Sequence, residues 1–204
     1  MSTAAILAGG QARRFGGRPK ALLPLGDQRV IDRLLTVLRS VTEEVVIVAP
    51  AGHRLDDLGV PIQEDLRPGA GPLGGIYTAL VASRSPQTLV VAADMPFLSV
   101  RFLEHVLHTG RDVDIAVPRT RDGRQPLCAS YGQRCVVLIE RRLDARALKV
   151  TDAFAGARTI EIGPEAIAPF DPEGTLCFNI NRPADYARAL AVAAAGTAPL
   201  CSVV

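Results

Sequence analysis

The chain has 204 residues, 23 Lys+Arg against 21 Asp+Glu for a formal net charge of +2, and 48% hydrophobic residues with a mean hydropathy of +0.21. That apolar content excludes a disordered chain, and the charge balance excludes bulk binding to nucleic acid or an anionic membrane, which takes a basic face with a large positive surplus. Aromatic residues are 4% and Trp is absent, which excludes a stacking platform for single-stranded nucleic acid and leaves the core to Ala, Val, Leu and Ile.

Short aliphatic runs alternate with longer patterns of helical period. Residues 4–7 form an unbroken apolar run that ends in Gly9-Gly10 and reads as a buried strand entering a loop. Residues 30–38 place Ile31, Leu34, Leu35 and Leu38 on one helical face. Residues 45–48 read as a second buried strand closed by Pro50, and residues 60–64 as an edge strand. A helix over 73–82 follows Gly71-Pro72, with the proline suited to a first helical turn. A third buried strand, 89–93, ends on Asp94. Ser99 is a candidate N-cap for a helix over 100–107. Strands over 115–117 and 126–131, then helices over 136–143 and 183–195, complete the pattern.

Continuous aliphatic strands alternating with helices predict an α/β fold: a Rossmann-like, doubly wound, mostly parallel sheet with helices on both faces. No compositional break divides the chain, so residues 1–204 read as one domain. The opening segment is apolar and then basic, the reverse of a secretory signal peptide, and no apolar run reaches the ~20 residues of a membrane span. The expectation is a cytoplasmic protein. Cys128, Cys135, Cys177 and Cys201 form no Cys-x-x-Cys pair and read as reduced core residues.

In a doubly wound sheet, ligands sit beyond the carboxyl ends of the strands. The segment after the first strand carries Gly9, Gly10, Gly16 and Gly17 with Arg13, Arg14, Arg18 and Lys20, and no acidic residue lies between Gly9 and Gly26. Glycines let the backbone approach an anion and expose N–H groups to it, so this loop suits a polyphosphate. It is neither a Walker A loop, lacking Gly-Lys-Ser/Thr, nor a dinucleotide fingerprint.

The string Leu-Ala-Gly-Gly-x3-Arg-x-Gly-Gly-x2-Lys, beginning at Leu7, resembles the signature of the MobA-like nucleotidyltransferases, the family that includes the molybdenum cofactor guanylyltransferases. Three later segments strengthen the resemblance. These are Gly71-Pro72-Leu73-Gly74-Gly75, Asp94-Met95-Pro96 and Asn179-Ile180-Asn181-Arg182-Pro183. The resemblance implies transfer of a GMP moiety from GTP to the phosphate of molybdenum-bearing molybdopterin, with Mg²⁺ as cofactor and cofactor-insertion or target molybdoenzymes as transient partners. It implies that Leu7, Ala8, Gly9, Gly10 and Gly16 bind the nucleotide, that Lys20 and Arg14 grip its phosphates, and that Asp65 contacts it. Asn179 and Asn181 would meet the acceptor. Two departures bear on base choice. Pro19 stands where the family commonly has Asp, as in relatives that transfer cytidylyl groups, and Val48 or Ala49 stands where it tends to place Asn. Alternatives are therefore cytidylyl transfer to the same acceptor, a sugar-phosphate nucleotidyltransferase, or a nucleotide-binding module without chemistry.

Asp94, at the end of a buried strand, is by its position either a Mg²⁺ ligand or a turn residue before Pro96; the resemblance favours the metal. Asp65 is a nucleotide contact by resemblance or a solvated loop carboxylate by composition. Asn179 and Asn181 also suit a cap on the helix after Pro183. Arg119, Arg121 and Arg124 fit either an acceptor phosphate or a solvated turn. His105 and His108, three apart on a helix, lack the partners of a metal site, and Ser130 lacks a base.

Overall fold

The computed structural model describes residues 2–9, 15 and 19–196. The chain runs through β1 (Thr3–Leu7), β2 (Pro24–Leu25), β3 (Gln28–Arg29), α1 (Val30–Arg39), β4 (Glu44–Ala49), β5 (Ile62–Glu64) and α2 (Gly71–Ala82). It continues through β6 (Gln87–Ala92), α3 (Val100–Gly110), β7 (Ile115–Thr120), β8 (Gly123–Arg124), β9 (Cys128–Gly132), α4 (Cys135–Asp144), β10 (Thr159–Ile162), α5 (Pro164–Ile167) and α6 (Pro183–Gly196).

The main sheet has the order β10-β7-β9-β6-β1-β4-β5, with β8 paired to β7. Strands β1, β4, β5 and β6 are parallel, as is the β10–β7 pair, and β9 runs antiparallel between β6 and β7. The sheet is thus mixed and mostly parallel, as the alternation of strands and helices predicts. Side chains alternate across it. On β1, Ala4 and Ile6 enter one core with α1 and α3, while Ala5 and Leu7 enter the other with α2 and α4. A third, smaller core joins Leu25 and Val30 to Ile180 and Ala189 of the C-terminal segment, with Phe15, Phe97, Phe178 and Tyr186 at its border.

Local signals account for most boundaries. The Ser99 hydroxyl accepts the Phe102 N–H at 3.4 Å and caps α3 as predicted. Pro72 lies in the first turn of α2, and Gly71 just before it has φ +64°, a conformation that disfavours a side chain. The strand expected over 126–131 begins later, at Cys128. Pro126 has no N–H for the ladder, and the Cys128 N–H turns back to the Gln125 carbonyl at 3.0 Å. Strands β2, β3, β8 and β10 were not among the expected elements. The β2–β3 hairpin turns through Gly26 at φ +72°, a Gly-Asp signal at its two-residue connection. On edge strand β10, Ile160 is exposed, so the aliphatic continuity that marks the central strands is missing.

Candidate active site

The strand register brings the carboxyl ends of three strands level. Leu7 pairs with Val48 of β4 on one side and Ala92 of β6 on the other. Beyond those pairs, the Ala8 N–H donates to the Val48 carbonyl at 2.8 Å and the Ala93 N–H to the Leu7 carbonyl at 3.1 Å. Leu7 is buried, Ala8 is half-buried and Gly9 is exposed, and a Cβ at Gly9 would meet no atom of the described residues within 4 Å, so the backbone emerges from the sheet here. Gly10, Arg13, Arg14, Gly16, Gly17 and Arg18 lie outside the described residues, as does Cys201.

Lys20 re-enters this edge on a short 3-10 turn over Lys20–Leu22. Pro19 precedes it with φ −56°, and its carbonyl accepts the Leu22 N–H at 3.0 Å, so the proline starts the turn. The Lys20 ammonium donates to Asp94 Oδ2 at 2.5 Å and to Asn181 Oδ1 at 3.0 Å. Three predicted site residues from three distant segments thus meet at one atom. Both charged side chains are largely but not wholly covered, with 23% of Lys20 and 17% of Asp94 exposed. The Asp94 carbonyl also accepts the Ile180 N–H at 3.0 Å, which fastens the Asn179–Asn181 segment to the end of β6.

The two asparagines differ. Asn179 donates its side-chain amide to the Cys177 carbonyl at 3.0 Å, which holds its own turn. Neither caps α6 with its side chain; Asp185 Oδ2 accepts the N–H groups of Asn181 and Arg182 at 2.9 and 2.7 Å instead. Asp65 lies beyond the end of β5, on the far side of β4 from β1, and its N–H donates to the Ala49 carbonyl at 2.9 Å. It is half-buried, and its Oδ1 accepts the Arg67 N–H and the Thr78 hydroxyl, both at 3.0 Å. A residue that motif reading passed over, Thr78 of α2, is therefore part of the arrangement. Its only trace in the sequence is a hydroxyl inside an apolar helix.

Helix α2 approaches this edge closely because of its glycines. A Cβ at Gly74 would lie 2.8 Å from the Arg67 carbonyl oxygen, and one at Gly75 would lie 3.1 Å from Leu7 Cδ1. The Gly-Pro-Leu-Gly-Gly segment thereby packs directly on both the Asp65 loop and the end of β1.

The family described as "MobA-like NTP transferase domain" matches residues 4–158. The chain belongs to this family. A "Probable molybdenum cofactor guanylyltransferase" of Pelotomaculum thermopropionicum is 36% identical over 192 residues, covering 94% of this chain and 93% of the relative. A "Molybdenum cofactor guanylyltransferase" of Desulfosudis oleivorans is 34% identical over 197 residues, covering 95% and 96%. Among solved structures, molybdopterin-guanine dinucleotide biosynthesis protein A from Archaeoglobus fulgidus superimposes with a TM-score of 0.81 at 27% identity, covering 95% of this chain and 99% of that one.

The donors at this edge of the MobA-like domain suit a hard cation. Asp94 offers a carboxylate and Asn181 an amide oxygen beside it, the kind of set that Mg²⁺ completes with phosphate and water oxygens. No group of three or more His, Cys, Asp or Glu side chains that could hold a metal occurs among the described residues.

Other predicted candidates fall elsewhere. Arg119 and Arg124 both pair with Glu161 of β10, at 2.7 Å and 2.5 Å, and these guanidinium groups, Arg124 foremost, hold the Glu161 carboxyl below the usual range. Both guanidinium groups thus share one carboxylate at the carboxyl end of β7, while Arg121 is exposed on the turn. His105 stacks near the Phe170 ring at 5.1 Å and His108 is exposed. Ser130 is buried and donates to Gln87 Oε1 at 2.9 Å. Cys128 and Cys135 are buried free thiols; burial pushes Cys135 up to about 12, and Cys128 is raised by the neighbouring Cys177 thiol and by burial. No described helix is long and apolar enough to cross a membrane.

Proposed function

We propose that this chain transfers the GMP moiety of GTP to the terminal phosphate of molybdenum-bearing molybdopterin, giving a guanine dinucleotide cofactor and pyrophosphate. Family membership and the names of the relatives support the reaction class and the substrates. The observation that carries the reading is the Lys20 ammonium held between Asp94 and Asn181, which joins the phosphate-loop lysine to the carboxylate and amide of two later motifs.

An oxygen of the acceptor phosphate attacks the α-phosphorus in line; the new P–O bond forms as the bond to the β-phosphate bridging oxygen breaks, and pyrophosphate leaves with that electron pair. The acceptor is already anionic, so neither a covalent enzyme intermediate nor a general base is required. Catalysis rests on positioning and charge. An ammonium has three donors, and two of those on Lys20 are engaged among the described residues, leaving one for a phosphate oxygen. Backbone groups of Leu7, Ala8 and Gly9, with Gly10 and Gly16, line the nucleotide, and Arg14 adds a second cation. Asp65 accepts a donor from the nucleoside, and Asn179 and Asn181 face the acceptor. Asp94 would hold Mg²⁺, which neutralises phosphate charge when bound. The whole chain acts as one nucleotidyltransferase domain in the cytoplasm, handing its labile product to an insertion or target protein.

The test is pyrophosphate release with each of the four nucleoside triphosphates and molybdopterin as acceptor. Release with GTP is expected. Pro19 before Lys20 favours a second reading, cytidylyl transfer, and preferential release with CTP would establish it. Inertness with every triphosphate would leave a binding module.

A further inference from the structure

Thr78 lies in the interior of α2 and is fully buried. A helical threonine ordinarily returns its hydroxyl to the carbonyl four residues back, and Thr78 does reach Gly74 O at 2.9 Å. The same oxygen also leaves the helix. It stands 3.0 Å from Asp65 Oδ1 and accepts the Leu66 N–H at 3.0 Å. The single hydroxyl proton is drawn to the carboxylate, the stronger acceptor, while the Gly74 carbonyl keeps its place in the helix ladder.

Asp65 is thereby held at three points. Its N–H is tied to Ala49 O, and Oδ1 receives both the Arg67 N–H and the Thr78 hydroxyl. Oδ2 has no hydrogen-bond partner among the described residues. A carboxylate anchored through one oxygen presents the other as a fixed acceptor, ready for a donor without loss of side-chain freedom on binding. The group it would take is a hydroxyl or N–H of a nucleoside.

We infer that Thr78 is a positioning residue for nucleotide binding: its buried hydroxyl fixes Asp65 so that Oδ2 meets the nucleoside. This rests on the reading that Asp65 contacts the nucleotide. Thr78 acts through Asp65 and touches no reacting atom, so its loss weakens GTP binding and raises KM while kcat at saturating GTP stays within a few-fold.

Titration calorimetry with GTP tests this on Thr78→Val, Thr78→Ser, Asp65→Ala and the Asp65→Ala/Thr78→Val double variant. Thr78→Val keeps the volume, loses the hydroxyl and is expected to raise the Kd roughly tenfold. Thr78→Ser is expected to stay within about twofold of wild type, since the hydroxyl remains. In the Asp65→Ala background, Thr78→Val should add less than about a twofold change, because its route to the ligand is gone. If Asp65→Ala weakens binding and Thr78→Val does not, or if the two effects simply add, the role of Thr78 is refuted. If Asp65→Ala itself leaves the Kd unchanged, the reading of Asp65 fails and the inference falls with it. Thr78→Ala replaces Thr78→Val if the valine variant does not fold.

Discussion

Lys20 Nζ lies 2.5 Å from Asp94 Oδ2, a contact between residues 74 positions apart that couples the basic loop to the end of the central strand β6. Both side chains are largely covered yet still touch solvent, so what attraction gains is offset in part by desolvation and the pair adds only modestly to stability. Its value is geometric: an ammonium and a carboxylate are held together where phosphates would arrive.

Lys20→Ala should therefore separate activity from folding. Pyrophosphate release with GTP and acceptor is expected to fall by about 10²-fold or more, the usual size of losing a preorganised charge at a transition state. The melting temperature should move by only a few degrees. A variant that keeps near-wild-type turnover would remove Lys20 from the mechanism.

Asp94→Asn keeps the size of the side chain and removes its charge. Activity titrated against Mg²⁺ should then need at least about tenfold more metal to reach half-maximum if Asp94 holds the cation as proposed, since a hard cation then loses a carboxylate ligand. Chelation should abolish turnover of the unaltered chain and be reversed by added Mg²⁺. An unchanged metal titration for Asp94→Asn would show that the carboxylate serves only the ion pair with Lys20.

The two α2 glycines should respond differently to alanine. At Gly74 the new Cβ meets a backbone oxygen at 2.8 Å and the Ala70 Cβ at 3.0 Å, neither of which can swing away. Overpacking of about 1–3 kcal/mol outweighs the helix preference of alanine, at most about 1 kcal/mol, so urea unfolding should show net destabilisation. At Gly75 the neighbour is the flexible end of Leu7 at 3.1 Å. Gly75→Ala should leave stability nearly intact but displace Leu7 and weaken GTP binding, read by the same calorimetry.

Glu161 carries a pH dependence. Arg124 and Arg119 hold its carboxyl below the ordinary range, so the folded state binds its proton less readily than the unfolded chain. The stabilisation is present above the unfolded value of about 4.3 and is lost as pH falls through the folded one. Glu161→Gln should lower unfolding free energy at pH 7 by at most about 1 kcal/mol, less in high salt. The difference should close on acidification. A gap that persists at the lowest pH would mean the contribution is packing rather than charge.

Sequence alone determined what local chemistry can encode. Unbroken aliphatic runs at β1, β4 and β6 mark buried parallel strands, and a loop of glycines and cations with no acid sets the expectation of a site for phosphates. Motif likeness named Lys20, Asp65, Asp94 and Asn181 one by one. Tertiary structure decided how they combine. Strand β9 shows no sign of its antiparallel direction because direction depends on the path of the chain, not on side-chain type. The convergence of Lys20 with Asn181 joins residues 161 positions apart, and no periodicity reports such a distance. The hold of Thr78 on Asp65 was equally hidden, since a helical threonine reads the same whether its hydroxyl ends on its own helix or on a neighbouring loop. Local patterns record what each segment buries; only the packed sheet brings the loops beyond its carboxyl edge together and sets which polar atoms share a hydrogen bond.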